Sequence, residues 1–340
     1  MYADNAILAK VRALYGRRLT ADDYRQLLLQ KSVGEVAAYL KGTAYAQTLR
    51  EVREDLVHRG QLENLVCRHR DDILRRILKY EAGDSVFSRL YAMENEVRQL
   101  LSAIRMLNAG SIEGFILTMP SYLNKYLSFD LFRLAKITGF DDLLEAVRHS
   151  EYYNILGPFR PLSGGGIDIP ACEAALLAHS YQKELDLVRE RYRGGVREAL
   201  GQLITLRIDL HNIMVLLRLK RFFHFSPDEI RRQLIPVRTS LPRRLWEHLL
   251  AAETAESALE LLSSSRRTAR YFSTGGEVEA MGRRMLEDRN RRVFRFTLYP
   301  VAALMSYMLL LELEGNNLVN IIEGIRYALP SREIERLLIY

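Results

Sequence analysis

Apolar residues return every three or four positions along most of the chain, as at Leu27, Val36, Leu40 and Leu49, or at Ile73, Ile77 and Leu78. That spacing is the period of an amphipathic helix and predicts helices nearly everywhere. No strand-length alternation of Val, Ile and Thr interrupts it, and no Asn-Gly or Asp-Gly pair offers a hairpin turn. The expected fold class is all-α. Polar residues mark the helix starts. Ser226-Pro227-Asp228-Glu229 places a capping serine, a proline at the first helical position and a glutamate at the third, which is a capping box, and Thr20 to Asp23 is a looser version. Asp141 and Asp142 suit the positive end of a helix and are read as a helix start, not as a catalytic carboxylate pair. The longest uncharged stretch, Phe296 to Leu311, contains Pro300 and is shorter than the roughly 20 residues that a bilayer requires. It is expected to be a buried core helix.

A longer pattern overlies the helical one. Glu94, Asp209 and Glu314 each stand 17 residues before a serine, Ser111, Ser226 and Ser331, and each serine is followed two positions later by an acid. A second pattern, Val33, Val36, Leu40, Thr43, Tyr45 and Leu49, returns at an offset of 107 as Phe140, Leu143, Val147, Ser150, Tyr152 and Leu156. A fainter third copy is Ala255, Ala258, Leu262, Ser265 and Tyr271. The two patterns predict three helical units, 1–115, 116–230 and 231–340, with boundaries uncertain by about ten residues, in a pseudo-threefold arrangement. The middle copy is lengthened near the loop Gly157 to Pro170, which holds Gly164-Gly165-Gly166.

The composition leaves this picture intact. The 340 residues are 48% hydrophobic and 27% charged with a net charge of +7, so a disordered chain is unexpected. Only Cys67 and Cys172 occur, with no leader-like stretch before them, so a reducing compartment is expected. The sequence lacks a phosphate loop, a dinucleotide fingerprint, a nucleophile elbow and a His-Glu-x-x-His pair. Ser180 to Lys183 matches Ser-x-x-Lys at the level of chance, and Cys67 and His69 point apart on a helix. No catalytic residue, cofactor, metal or small-molecule substrate is expected.

Two features keep functional content. Asp209 and Asn212 share a helix face, with Lys220 close to it, among Ile208, Ile213, Leu216 and Leu217. They read either as a hydrogen-bonded network between helices or as a surface that grips a partner. Between Arg266 and Arg295 lie nine arginines and four acids. A solvated helix face or an acidic protein partner explains them better than nucleic acid, since no nucleic-acid motif accompanies them.

The stretch Asp209-Leu-His-Asn-Ile-Met-Val-Leu-Leu-Arg-Leu-Lys220 resembles the C subunit of prokaryotic V-type (A/V-type) ATPases, the counterpart of the d subunit in the eukaryotic vacuolar enzyme. Tyr2-Ala-Asp-Asn5, the segment from Lys10 to Leu19, and Glu314-Gly-Asn-Asn317 to Arg326 and Pro330 extend the resemblance over the chain. It implies a funnel-like all-α protein of three similar domains, peripheral on the cytoplasmic side of the membrane. It also implies a non-catalytic rotor role in ion transport, with the central-shaft subunits and the membrane proteolipid ring as partners. On this reading Asp209, Asn212, Arg218 and Lys220 are the expected partner-binding residues, with Glu94, Glu314 and Asn317 as their repeat counterparts. The first copy departs from the pattern, with Val97 at the position matched to Asn212, and the third has Glu323 and Ile325 in place of Arg218 and Lys220. The competing readings are a free helical scaffold or nucleic-acid-binding protein, and an enzyme with an unrecognised site.

Overall fold

The computed structural model describes residues 2–80, 85–161, 166–223, 225–237, 239–273 and 277–340. Gly164 and Gly165 lie outside the described residues. Every regular element among the described residues is a helix, so the protein is all-α. The chain divides into two compact units, Met1–Ala82 with Gly276–Tyr340, and Gly83–Gly275.

The first unit is built around the helix Pro300–Arg326. Pro300 sits in its first turn, where a missing N–H costs no hydrogen bond, and Val301 to Leu313 are nearly all buried. The uncharged stretch is therefore a core helix as expected. A set of short helices covers its C-terminal half: Ala21–Leu28, Val33–Leu40 and Ala46–Leu49. The capping box at Thr20 is present, and Ser32 caps the next helix through the Glu35 N–H. Leu27, Val36, Leu40 and Leu49 join Leu318, Ile321 and Ile322 in one core, as the apolar spacing requires. The helix ends in a Schellman turn: Ala328 takes φ +53°, its N–H bonds Ile325 O at 3.0 Å, and Leu329 N–H bonds Gly324 O at 2.9 Å.

The second unit contains two long-helix assemblies. Val86–Asn108 and Ile169–Arg191 pack along one another, with the short helices Leu131–Leu134, Phe140–Ala146 and Tyr152–Leu156 against them. Leu143, Val147 and Leu156 are fully buried, matching Val36, Leu40 and Leu49 of the first unit. The helix Gly194–Phe222 carries the third set, Pro227–Gln233, Arg243–Ala251 and Ala255–Ser264, where Ala258 and Leu262 are fully buried. The capping box at Ser226 is present. Gly194–Phe222 is long and apolar enough to cross a membrane, yet 61% of its apolar window is buried inside the protein. It works here as a core helix.

One pairing differs from the order along the chain. The sequence groups the short set at 33–49 with the long helix that follows it. In the structure this set packs on Pro300–Arg326, at the other end of the chain. The set at 140–156 packs on Val86–Asn108, which precedes it. Each long helix is thus matched with the short helices that come next, and the last is completed by the first residues of the chain.

Candidate functional site

Three long helices of the repeat carry a buried acid with an amide three residues on, one helical turn away on the same face, whereas a fourth such pair, Glu287 and Asn290 on Val278–Phe296, is engaged within its own helix, by Arg291 and by Leu286 O. Asp209 and Asn212 lie on Gly194–Phe222, and Glu314 and Asn317 on Pro300–Arg326. All four are at most 2% exposed, which makes them internal groups.

The amides act in the same way in both units. Asn212 Oδ1 accepts from Ile235 N–H at 2.8 Å, and its Nδ2 donates to Ile235 O at 3.1 Å. Asn317 does the same to Ile339, at 3.0 and 2.6 Å. The side-chain amide mimics a neighbouring strand, so one residue satisfies both the N–H and the C=O of a buried extended backbone.

The acids hold backbone too. Asp209 Oδ2 accepts from Ser240 N–H at 3.0 Å and from the Ser240 hydroxyl. Glu314 accepts from Leu19 N–H at 3.0 Å, Tyr45 OH at 3.0 Å and Arg18 Nε at 3.2 Å. Burial raises the carboxyl pKa of both above the ordinary range. Ser240 opposes the shift at Asp209, and at Glu314 Arg18 and the other donors do so. A buried carboxylate is tolerable where charged or polar donors face it.

The first repeated helix uses a register two residues later than the sequence suggests. Glu96, not Glu94, is the buried acid, and it accepts from Ser128 N–H and from Tyr152 OH at 2.8 Å. Gln99, also buried, stands three residues on, at the place of Asn212 and Asn317. The acid–amide pair is therefore present in all three helices, and Val97 is a core residue of no such role. Tyr45 and Tyr152, matched in the sequence repeat, are matched in function as hydroxyl donors to the acid. Two residues past Ser265 in the third copy stands Arg267 instead, whose Nη1 donates to Ser240 O.

Lys220 is buried as well, and Nζ donates to Leu250 O at 2.9 Å and to Ala252 O. It caps the carbonyl end of Arg243–Ala251, where a cation is favoured, and burial lowers its pKa. Asp209, Asn212 and Lys220 together fasten the segment from 235 to 252 to one helix. Arg218 points outward and is exposed.

Glu94 is half-buried and belongs to a different network. It pairs with Arg98 at 3.1 Å and with Arg207 at 3.0 Å. Arg207 lies over the Tyr181 ring and reaches towards Glu184 at 3.8 Å. Glu184, which sequence reasoning missed, is 1% exposed, takes one hydrogen bond from Ser180 at 3.2 Å, and borders a cleft of about 210 Å³ beside Glu94 and Arg98. Burial pushes its pKa up to about 7, against the pull of Arg207. Its position between Leu187 and Ser180 on a helical face offered no pattern by which to find it.

Of the seven residues expected at a partner surface, five use their polar atoms inside the protein: Asp209, Asn212, Lys220, Glu314 and Asn317. Of the two readings of this polar set, the geometry favours the network between helices. What it can do is mechanical, because each clamp ties one long helix to the backbone of a distant segment.

The profile of the ATP synthase (C/AC39) subunit family matches residues 7–337. The chain is 27% identical over 232 residues to the C subunit of the A-type ATP synthase of Thermococcus kodakarensis, covering 67% of this chain but only 60% of that protein. It is 24% identical to the corresponding Pyrococcus furiosus protein over 92% of this chain and 84% of that protein. With the Archaeoglobus fulgidus protein of the same name the identity is 23%, over 97% and 94%. A match that runs through all three long helices and both chain ends places this chain in the ATP synthase (C/AC39) subunit family.

Proposed function

We propose that the chain is a non-catalytic subunit of a rotary ATP synthase or ATPase, joining the central shaft to the proteolipid ring of the membrane. The observation that carries this reading is a buried acid on each of three long helices that accepts from distant backbone, joined in two of them by an asparagine that clamps a second backbone segment. A coupling piece transmits torque and needs stiffness, and three long helices bolted to distant backbone supply it. The relatives are named as subunits of an ATP synthase, a membrane-bound complex, and the chain sits peripherally on its cytoplasmic side in this proposal.

The division into three helical units, expected at 1–115, 116–230 and 231–340, belongs to the same proposal. The packing supports a grouping in which each long helix goes with the short helices after it. Partner contact is assigned directly to Arg218, which is exposed. Glu94 is a half-buried border residue, and the five buried residues act by fixing the surface that carries them.

Co-elution of the full chain with the central-shaft subunits of the same organism, at two salt concentrations, tests the reading. A stoichiometric complex, weakened by Arg218→Glu in a folded protein, is expected. No complex with a chain shown to be folded and helical overturns it, and binding unaffected by Arg218→Glu removes Arg218 from the interface.

A further inference from the structure

Phe296 and Leu298 are 77% and 76% exposed, the highest values for large apolar side chains among the described residues. They flank Thr297 in the turn between the helices Val278–Phe296 and Pro300–Arg326. The turn is fastened from inside. Thr297 is buried, its N–H bonds Val293 O at 2.8 Å, its carbonyl accepts from Arg12 Nη2 at 3.1 Å, and its hydroxyl accepts from Tyr299 N–H at 3.1 Å. Behind it Phe294 stacks on Tyr15 with centroids 4.4 Å apart. The two apolar side chains are therefore held outward on a fixed knuckle.

The charge beside them has one sign. Arg292 and Arg295 are exposed on the last turn of Val278–Phe296, three residues apart on one face, and no ion pair reaches either among the described residues. Arg12 adds a third exposed cation at the same turn. No acid occurs between Asp288 and Glu312.

We propose that this knuckle is a membrane-surface anchor: Phe296 and Leu298 enter the interface of an anionic phospholipid bilayer while Arg292 and Arg295 meet its phosphates. A protruding apolar pair ringed by arginines fits a soft anionic surface. The apolar groups gain by leaving water, and the guanidinium groups stay at headgroup level. Family membership, in which the relatives are parts of a membrane-bound complex, agrees with this surface being within reach of lipid. The inference does not depend on which subunits the chain binds.

Sedimentation of the full chain with vesicles of phosphatidylcholine, with and without phosphatidylglycerol, tests it. The wild type is expected to pellet with the anionic vesicles and to be released by salt. Replacing both cations, Arg292→Gln with Arg295→Gln, is expected to weaken binding about fivefold for each charge removed. Replacing both apolar residues, Phe296→Ser with Leu298→Ser, is expected to weaken it by about tenfold or more. Both pairs are exposed, so circular dichroism and the melting temperature are expected to stay at wild-type values. A wild-type chain left in the supernatant overturns the proposal. So does a Phe296→Ser, Leu298→Ser variant that binds as well as the wild type. Salt-sensitive capture by polyglutamate in place of vesicles assigns the knuckle to an acidic protein and also overturns it.

Discussion

The helices Gly194–Phe222 and Pro300–Arg326 carry the same buried pair, an acid with an asparagine one turn on, yet close their clamps differently. Asp209 holds Ser240, 31 residues ahead, by two bonds from one residue. Glu314 holds Leu19, Arg18 and Tyr45 from the other end of the chain. The first clamp can form while its neighbourhood folds. The second joins residues 295 positions apart and adds a buried ion pair. The pair is thus one device put to a local use and to a chain-closing use, and the second should contribute more to stability.

Glu314→Ala leaves Arg18, Leu19 N–H and Tyr45 OH without their acceptor and is expected to cost about 4 kcal/mol of unfolding free energy, against about 2 kcal/mol for Asp209→Ala. Urea titration of the two variants checks this, and equal losses would erase the distinction between the two clamps.

Glu184, a buried acid outside the clamps, adds a pH dependence of the same sign as the raised carboxyls of Asp209 and Glu314. The Glu184 pKa is raised from 4.5 to about 7, so the folded state holds a proton that the unfolded state has released between those values. Its favourable contribution is full below pH 4.5 and is lost as pH rises through about 7. The loss is expected to reach about 3 kcal/mol, because each tenfold difference in proton affinity between the two states is worth roughly 1.4 kcal/mol. Glu184→Gln is expected to flatten that part of the stability profile, measured by melting between pH 5 and 8, roughly the window around the two pKa values.

The amides of the two helices are expected to behave alike. Asn212→Ala and Asn317→Ala each strand one buried N–H and one buried C=O, and each is expected to cost about 2 kcal/mol. Similar values would show that this half of the device is used alike in both units.

The smallest expected effect concerns how two of the long helices end. Gly110 and Ala328 occupy the same left-handed position of a Schellman turn, with φ +65° and +53°. Glycine adopts it freely and alanine does not. Ala328→Gly is expected to stabilise the protein by about 1 kcal/mol, and Gly110→Ala to destabilise it by a similar amount. Thermal melts of the two variants check the signs.

Much of this architecture is legible in the sequence. The capping boxes at Thr20 and Ser226, the apolar spacing from Leu27 to Leu49, and the recurrence of Tyr45 as Tyr152 each rest on local chemistry or on a repeated pattern. The register of the first long helix is not legible in the same way. Glu94 and Glu96 are both acids on one helix, and matching by distance to Ser111 selects the wrong one. Burial selects Glu96, and the Gln99 that follows it supplies the acid-then-amide spacing that the sequence does contain. The completion of the last long helix by residues 19–49 is equally hidden, because sequence order favours neighbours and says nothing about which end of a chain folds back to the other. Glu184 depends wholly on packing, since its surroundings come from three helices.

In the proposed role the chain couples a rotary machine and performs no chemistry. Assembling the complex from its other subunits with and without this chain, and measuring ATP hydrolysis and ion pumping together, separates coupling from catalysis. The expected result is that hydrolysis persists without the chain while pumping is lost, and that adding the chain restores pumping. Pumping that proceeds without the chain, or hydrolysis by the isolated catalytic head that requires it, would contradict that role.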